Sequence, residues 1–152
     1  HVQQFESEGH LRWDSLGEYC ALVPSIEKAA ESSGSGKAAA LAAALDQAVG
    51  SYLESSRYPS RKVNEIDNRG SSFYLALYWA EALAAQTGDD ELRSRFAPIA
   101  AALADAEATI NSELLAAQGA AVEIGGYFHP SDEACDQAMR PSATLNAIID
   151  GM

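Results

Sequence analysis

At 152 residues the chain is the size of one ordinary domain, enough to bury roughly 70% of its unfolded surface. Its 22 acidic residues against 10 Lys and Arg give a formal net charge of -12, which repels polyphosphate backbones over most of the surface and argues against a nucleic-acid partner. The longest strongly apolar run, Phe73 to Ala80, is well short of the roughly 20 residues a membrane helix needs, and Glu81 follows it.

The chain opens on a polar, cation-bearing segment, His1 to Asp14. Leu16, Tyr19, Val23, Ile26 and Ala30 then recur at steps of three and four, predicting a helix over Ser15 to Ser33 with Asp14 as cap and Gly34 as terminator. Pro24 inside it removes one backbone bond and predicts a kink. After the turn Gly34-Ser35-Gly36, a second, Ala-rich helix is expected over Lys37 to Ser56, with Leu41, Leu45, Val49, Tyr52 and Leu53 on one face. Arg57 to Gly70 reads as an extended non-helical connection, because Pro59 disfavours helix at Tyr58 and the run has no apolar period; Val63 and Ile66 are its candidate anchors.

Ser71 or Ser72 is expected to open a third helix reaching Gln86, whose first half is apolar nearly all the way round and so suited to burial on several sides. Asp89 or Asp90 should cap a fourth. Its stripe Leu92, Phe96, Ile99, Leu103, Ala106, Ile110 and Leu114 runs through Pro98, which predicts a kinked or restarted helix ending at Gly119. Val122 to Ile124 reads as a short strand. Two short helices, Ser131 to Met139 and Ser142 to Ile149, finish the chain on either side of Pro141. The fold class is therefore mostly α: a bundle of about four longer helices plus short C-terminal helices.

Four of the ten cations, Arg57, Arg61, Lys62 and Arg69, fall in the connection before the third helix. In so acidic a chain this cluster can hold a phosphate, since the guanidinium fork suits phosphate oxygens, or can simply pair with Glu54, Glu65 and Asp67. Arg12, Trp13 and Asp14 read equally well as a surface cation, a core aromatic and a helix cap. Cys20 and Cys135 lack CxxC or Cys/His spacing, so reduced, partly buried thiols are expected. The sequence contains no Gly-x-Gly-x-x-Gly loop. Gly125-Gly126-Tyr127-Phe128-His129-Pro130 reads as a glycine turn, and Arg140-Pro141-Ser142 as a docking and capping segment.

The runs His1-Val2-Gln3-Gln4-Phe5, Arg12-Trp13-Asp14, Pro59-Ser60-Arg61-Lys62, Ser72-Phe73-Tyr74-Leu75-Ala76-Leu77-Tyr78-Trp79-Ala80 and Arg140-Pro141-Ser142-Ala143-Thr144-Leu145-Asn146 resemble the C-terminal part of the large, single-chain, NADP-dependent isocitrate dehydrogenases of bacteria. The resemblance covers essentially the whole chain. It implies that residues 1-152 form one helical segment, the C-terminal part of an NADP-binding domain, and that the chain is a piece of that longer cytoplasmic enzyme. It implies oxidative decarboxylation of isocitrate to 2-oxoglutarate, in the tricarboxylic acid cycle and glyoxylate bypass, with NADP and a magnesium or manganese ion.

Carried over position by position, the resemblance places His1, Arg12, Asp14 and Arg61 at the adenosine end of NADP, with Trp13 included inside the Arg-Trp-Asp run. It assigns no catalytic or metal residue to this segment, and the chain alone is expected to be inactive. Its implied partners are NADP and the remainder of the enzyme. The competing reading is a non-enzymatic helical module that self-associates through an exposed Phe73 to Ala80 helix.

Overall fold

The computed structural model describes residues 1–126 and 128–152, and among these the backbone forms eight helices and no strand. The mostly α expectation holds, with more and shorter helices than the periodicity suggests. The chain divides into two compact units. One comprises His1–Asp14, Tyr58–Ser71 and Asp105–Met152; the other comprises Ser15–Arg57 and Ser72–Ala104.

In the second unit, α2 (Leu16–Ser33) packs along α3 (Gly36–Ser55). Gly34 ends α2 in the left-handed conformation, φ 67°, and donates its N–H to the Ala30 carbonyl; the Ser35 side chain then caps α3 by accepting the Ala38 N–H. The N-cap of α2 falls on Ser15, one residue beyond Asp14. Leu45, Ala48, Val49 and Tyr52 of α3 close on Val23 and on Leu75 of α4 (Asn68–Ala85), with Tyr19, Ile26, Tyr78 and Trp79 around them. Leu53, expected on this face, is 55% exposed. It lies one position past Tyr52, where the 100° turn per residue carries it off the stripe.

A second cluster joins Ala44, Ala82 and Leu83 to Leu41, Leu92 and Phe96. Trp79 Nε1 donates to the Leu41 carbonyl at 3.1 Å, which satisfies the half-buried indole. Phe73, Tyr74, Leu75, Leu77 and Ala80 are all buried within the chain, so the apolar α4 face invoked for self-association is not on offer as an exposed surface. Cys20 is exposed rather than partly buried, Cys135 is half-buried, and both are free thiols.

The predicted long fourth helix is two: α5 (Asp90–Asp105) and α6 (Glu107–Ala116). Asp89 caps α5 through its Oδ1, which accepts the Leu92 N–H at 2.8 Å. Pro98 is accommodated inside α5, and the restart falls at Ala106 instead.

The first unit begins with a helix that the sequence did not announce, α1 (Val2–Glu8). Its apolar signal is one turn long, and so short a helix does not stand alone in water. Tertiary contact makes it: Phe5 is buried against Ile124 and Ala138, with Val2, Leu11 and Val122 around it. The segment read as a strand at Val122–Ile124 is not one. The Val122 N–H bonds to the Glu6 carbonyl of α1 instead, and the Gly119 N–H just before the segment to the Glu8 carbonyl, both at 2.8 Å.

Two short helices complete this unit, α7 (Asp132–Met139) capped by Ser131 and α8 (Ala143–Asp150) capped by Ser142. Arg140 pairs with Asp150 at 2.7 Å, as expected of a docking segment. No helix among the described residues is long and apolar enough to cross a membrane.

Candidate functional site

All five sequence-singled residues, His1, Arg12, Trp13, Asp14 and Arg61, fall in the first unit. The scaffold beneath them is a buried ion pair. Arg69 and Asp67, their side chains 3% and 0% exposed, join through Nη2 to Oδ2 at 2.7 Å and Nε to Oδ2 at 2.9 Å. Arg69 also donates from Nη1 to the Ala138 carbonyl, 2.7 Å, and from Nη2 to the Gly9 carbonyl, 2.6 Å.

Asp67 Oδ1 accepts the Arg69 and Gly70 amides, and its Oδ2 also accepts the Leu11 amide. This carboxylate caps α4, which is why that helix opens at Asn68 and not at Ser71 or Ser72. The pair ties three chain segments together and removes Arg69 from the expected phosphate cluster. Arg57 leaves it too, belonging to the other unit with its guanidinium 4.2 Å over the Tyr74 ring.

Arg61 and Lys62 sit in a closed loop. The Ser60 N–H bonds to the Ile66 carbonyl at 2.7 Å across its neck. Inside, the Ser60 hydroxyl reaches Glu65 Oε2 at 2.5 Å and accepts the Lys62 N–H at 3.1 Å, while Asn64 takes φ 67°, a conformation asparagine tolerates well. Val63 and Ile66 are only half-buried. Polar groups fix the loop from below: His10 lies with Nδ1 2.7 Å from Gln118 Oε1 and Nε2 2.9 Å from the Ser60 carbonyl oxygen. Gln118 Oε1 also accepts the Asn64 N–H at 2.8 Å, and its Nε2 donates to the Glu65 carbonyl at 3.0 Å.

Arg12 meets this loop directly. Its Nε donates to the Arg61 carbonyl at 2.8 Å, and its Nη1 bonds to Glu8 Oε2 at 2.5 Å. The Arg12 side chain is 15% exposed, so it is held rather than free. Arg61 itself is exposed, and no acidic side chain among the described residues pairs with it; Lys62 lies 3.8 Å from Glu65.

Trp13 is 47% exposed, not the core aromatic that its size suggested. The His1 ring meets it edge-on with centroids 5.4 Å apart, and Asn68 Nδ2 holds the Trp13 carbonyl at 2.8 Å. Asp14 follows Trp13 on the exposed side of the chain. The structure thus brings Arg12 to the Arg61 backbone and His1 to Trp13, with the Arg61 and Trp13 side chains exposed.

Sequence reading missed Glu8, His10 and Gln118. Each looks like an ordinary polar residue until the fold brings chain positions 10, 60 and 118 together, and no local spacing signals that.

Elsewhere in the unit, Glu113 accepts from the Ser142 hydroxyl, 2.6 Å, and the Thr144 hydroxyl, 2.9 Å; these bonds, that of Ser142 foremost, hold its carboxyl below the ordinary carboxylate value. Among the described residues no three His, Cys, Asp or Glu side chains are grouped to hold a metal ion. In the Gly125 to Pro130 run, Tyr127 lies outside the described residues, and Phe128 is 80% exposed with the His129 ring 4.2 Å away.

The family described as monomeric isocitrate dehydrogenase matches residues 1–150. Isocitrate dehydrogenase (NADP) of Azotobacter vinelandii is 57% identical over 149 residues, 98% of this chain and 20% of its own length. Isocitrate dehydrogenase (NADP) 2 of Colwellia maris is 53% identical over the whole chain, again 20% of its own length. Isocitrate dehydrogenase (NADP) of Corynebacterium glutamicum is 50% identical over the whole chain, 21% of its own length. The chain spans about a fifth of the length of these curated relatives. It belongs to the monomeric isocitrate dehydrogenase family.

Proposed function

We propose that this chain supplies the adenosine 2'-phosphate end of the NADP site in an NADP-dependent isocitrate dehydrogenase, as the C-terminal part of its NADP-binding domain. The observation that carries the reading is Arg12 bonded to the Arg61 backbone, with Arg61 exposed on a closed loop beside it. A 2'-phosphate carries nearly two negative charges, and paired guanidinium groups are the side chains best matched to its oxygens. NAD lacks that phosphate, so these residues contribute to choosing NADP.

Arg61 is the ligand that approaches from solvent, and Arg12 is the pre-aligned one. The exposed Trp13 face suits the adenine ring, with His1 against its edge. Asp14, next in the chain, can accept hydrogen bonds from ribose or adenine. NADP, when bound, supplies the hydride acceptor for oxidation of the isocitrate carbinol.

This chain's residues bind and orient the end of the cofactor remote from that chemistry. The reaction also needs a divalent cation, magnesium or manganese by the habit of the family, and the described residues here offer no acidic cluster to hold one. The other partners of the site are the parts of the enzyme beyond this fifth of its length, in a cytoplasmic setting.

The reading is tested by following the amide, indole and guanidinium resonances of the purified chain as NADP is added. Shifts at Trp13, Arg12 and Arg61 are expected. Shifts confined to the second unit would contradict it.

A further inference from the structure

Val63 and Ile66 of the loop that carries Arg61 are only half-buried, and three backbone polar groups of that loop are taken up by two residues from distant parts of the chain. His10 is 1% exposed and Gln118 is 9% exposed. His10 holds the Ser60 carbonyl, the bond immediately before Arg61, while Gln118 holds the Asn64 N–H and the Glu65 carbonyl, beyond it. The two are joined to each other at 2.7 Å.

The Gln118 amide has one orientation only, since turning it over would set an NH2 against the Asn64 N–H and an oxygen against the Glu65 carbonyl. Both His10 nitrogens therefore face oxygens, Nδ1 that of the Gln118 amide and Nε2 that of the Ser60 carbonyl. The next residue, Gly119, bonds to the backbone of Glu8, whose carboxylate aligns Arg12. The pair thus holds the Arg61 loop directly and adjoins, through Gly119, the residue that pairs with Arg12.

We propose that His10 and Gln118 are positioning residues for phosphate discrimination, a buried lock that fixes the Arg61 loop against Arg12. The inference rests on the cofactor reading above and names residues which that reading does not contain. Neither residue touches the ligand. Their effect runs through Ser60, Asn64 and Glu65, the loop residues they hold, and so falls on Arg61 alignment more than on overall affinity. A purely structural role would lower stability and weaken all nucleotides alike. A positioning role lowers selectivity for the 2'-phosphate.

The test titrates the chain and its Gln118→Leu and Gln118→Glu variants with adenosine 2',5'-bisphosphate and with 5'-AMP by calorimetry. The parent chain should prefer the bisphosphate. Gln118→Leu removes all three amide contacts and should cut that preference roughly tenfold, about the loss of one well-aligned charge-assisted contact. Gln118→Glu keeps the oxygen that Asn64 and His10 use but sets a second oxygen against the Glu65 carbonyl, and should recover only part of it.

If Gln118→Leu does not fold, His10→Asn, which is too short to bridge Gln118 and Ser60, is judged by the same ratio. A variant that folds and keeps the full preference overturns the lock while leaving the cofactor site standing. A parent chain that shows no preference overturns the cofactor reading, and the lock with it.

Discussion

Arg12 and Arg61 differ in what else they do, and that difference separates binding from stability. Arg61 is exposed and makes no side-chain ion pair among the described residues, so Arg61→Ala should leave unfolding within about 0.5 kcal/mol of the parent. Its NADP affinity should nevertheless fall roughly tenfold or more, the worth of a hydrogen bond to a charged group. Arg12→Ala should lose affinity by a similar factor and stability as well, because Arg12 also bonds to Glu8 and to the Arg61 carbonyl. Calorimetry and urea unfolding on both variants would check the split.

Arg69 belongs to neither class. It is a cation in a cation-rich stretch, yet its partners are Asp67 and two buried carbonyls. Arg69→Met leaves the Asp67 carboxylate buried and unpaired, and should cost about 3–5 kcal/mol in urea unfolding. Counting cations along the sequence placed Arg69 beside Arg61. Only burial tells them apart, and burial depends on the Gly9 and Ala138 backbones, which no local pattern brings near.

Helix ends offer sharper comparisons than helix middles. Gly9 and Gly34 both close helices in the left-handed conformation, at φ 60° and 67°. A Cβ at Gly34 meets open space, whereas one at Gly9 would lie 2.9 Å from the Ala120 carbonyl oxygen and 3.0 Å from that of Ala117. Gly34→Ala should therefore cost about 1–2 kcal/mol for backbone conformation alone, and Gly9→Ala clearly more, as thermal or urea unfolding would show. Gly9→Ala should also disturb the contact of α1 with the Gly119–Val122 segment.

At the other end of the first unit, the Ser142 and Thr144 bonds depress the Glu113 carboxyl. Its folded pKa lies below its unfolded one, so its contribution is present above the unfolded value and is lost as pH falls through the folded one. Hydrogen exchange in α8 should accelerate in that acid window, and Ser142→Ala should shift the Glu113 titration upward toward its ordinary value, read by carboxyl NMR.

The long periodic elements, α2, α3 and the body of α4, were legible because their apolar stripes run over several turns. Caps at Asp89 and Ser142 were legible from residue type, whereas Ser35 read as part of a turn and Ser131 as the first residue of its helix. Helix α1 and the start of α4 were not. The first is one turn of signal made stable by Phe5 burial, and the second is set by Asp67, an acid inside what reads as a loop. Of the site, the polar runs that hold Arg12 and Arg61 stood out as cations in an acidic chain, but their meeting through the Arg61 carbonyl did not.

At the level of the whole chain, all five candidate residues lie within the first of two compact units, so the proposed subsite draws on that unit's segments alone. The same accounting predicts no turnover. With a fifth of the relatives' length and no acidic metal cluster among its described residues, the chain should form no NADPH from isocitrate and magnesium or manganese. Steady NADPH formation by the pure chain would overturn that.

Selectivity for the 2'-phosphate is read by calorimetric titration of the purified chain with NADP and, separately, with NAD. NADP should bind and NAD bind little, with NADP binding lost in Arg12→Ala and Arg61→Ala. Equal binding of the two cofactors, or NADP binding untouched by either substitution, would contradict that selectivity.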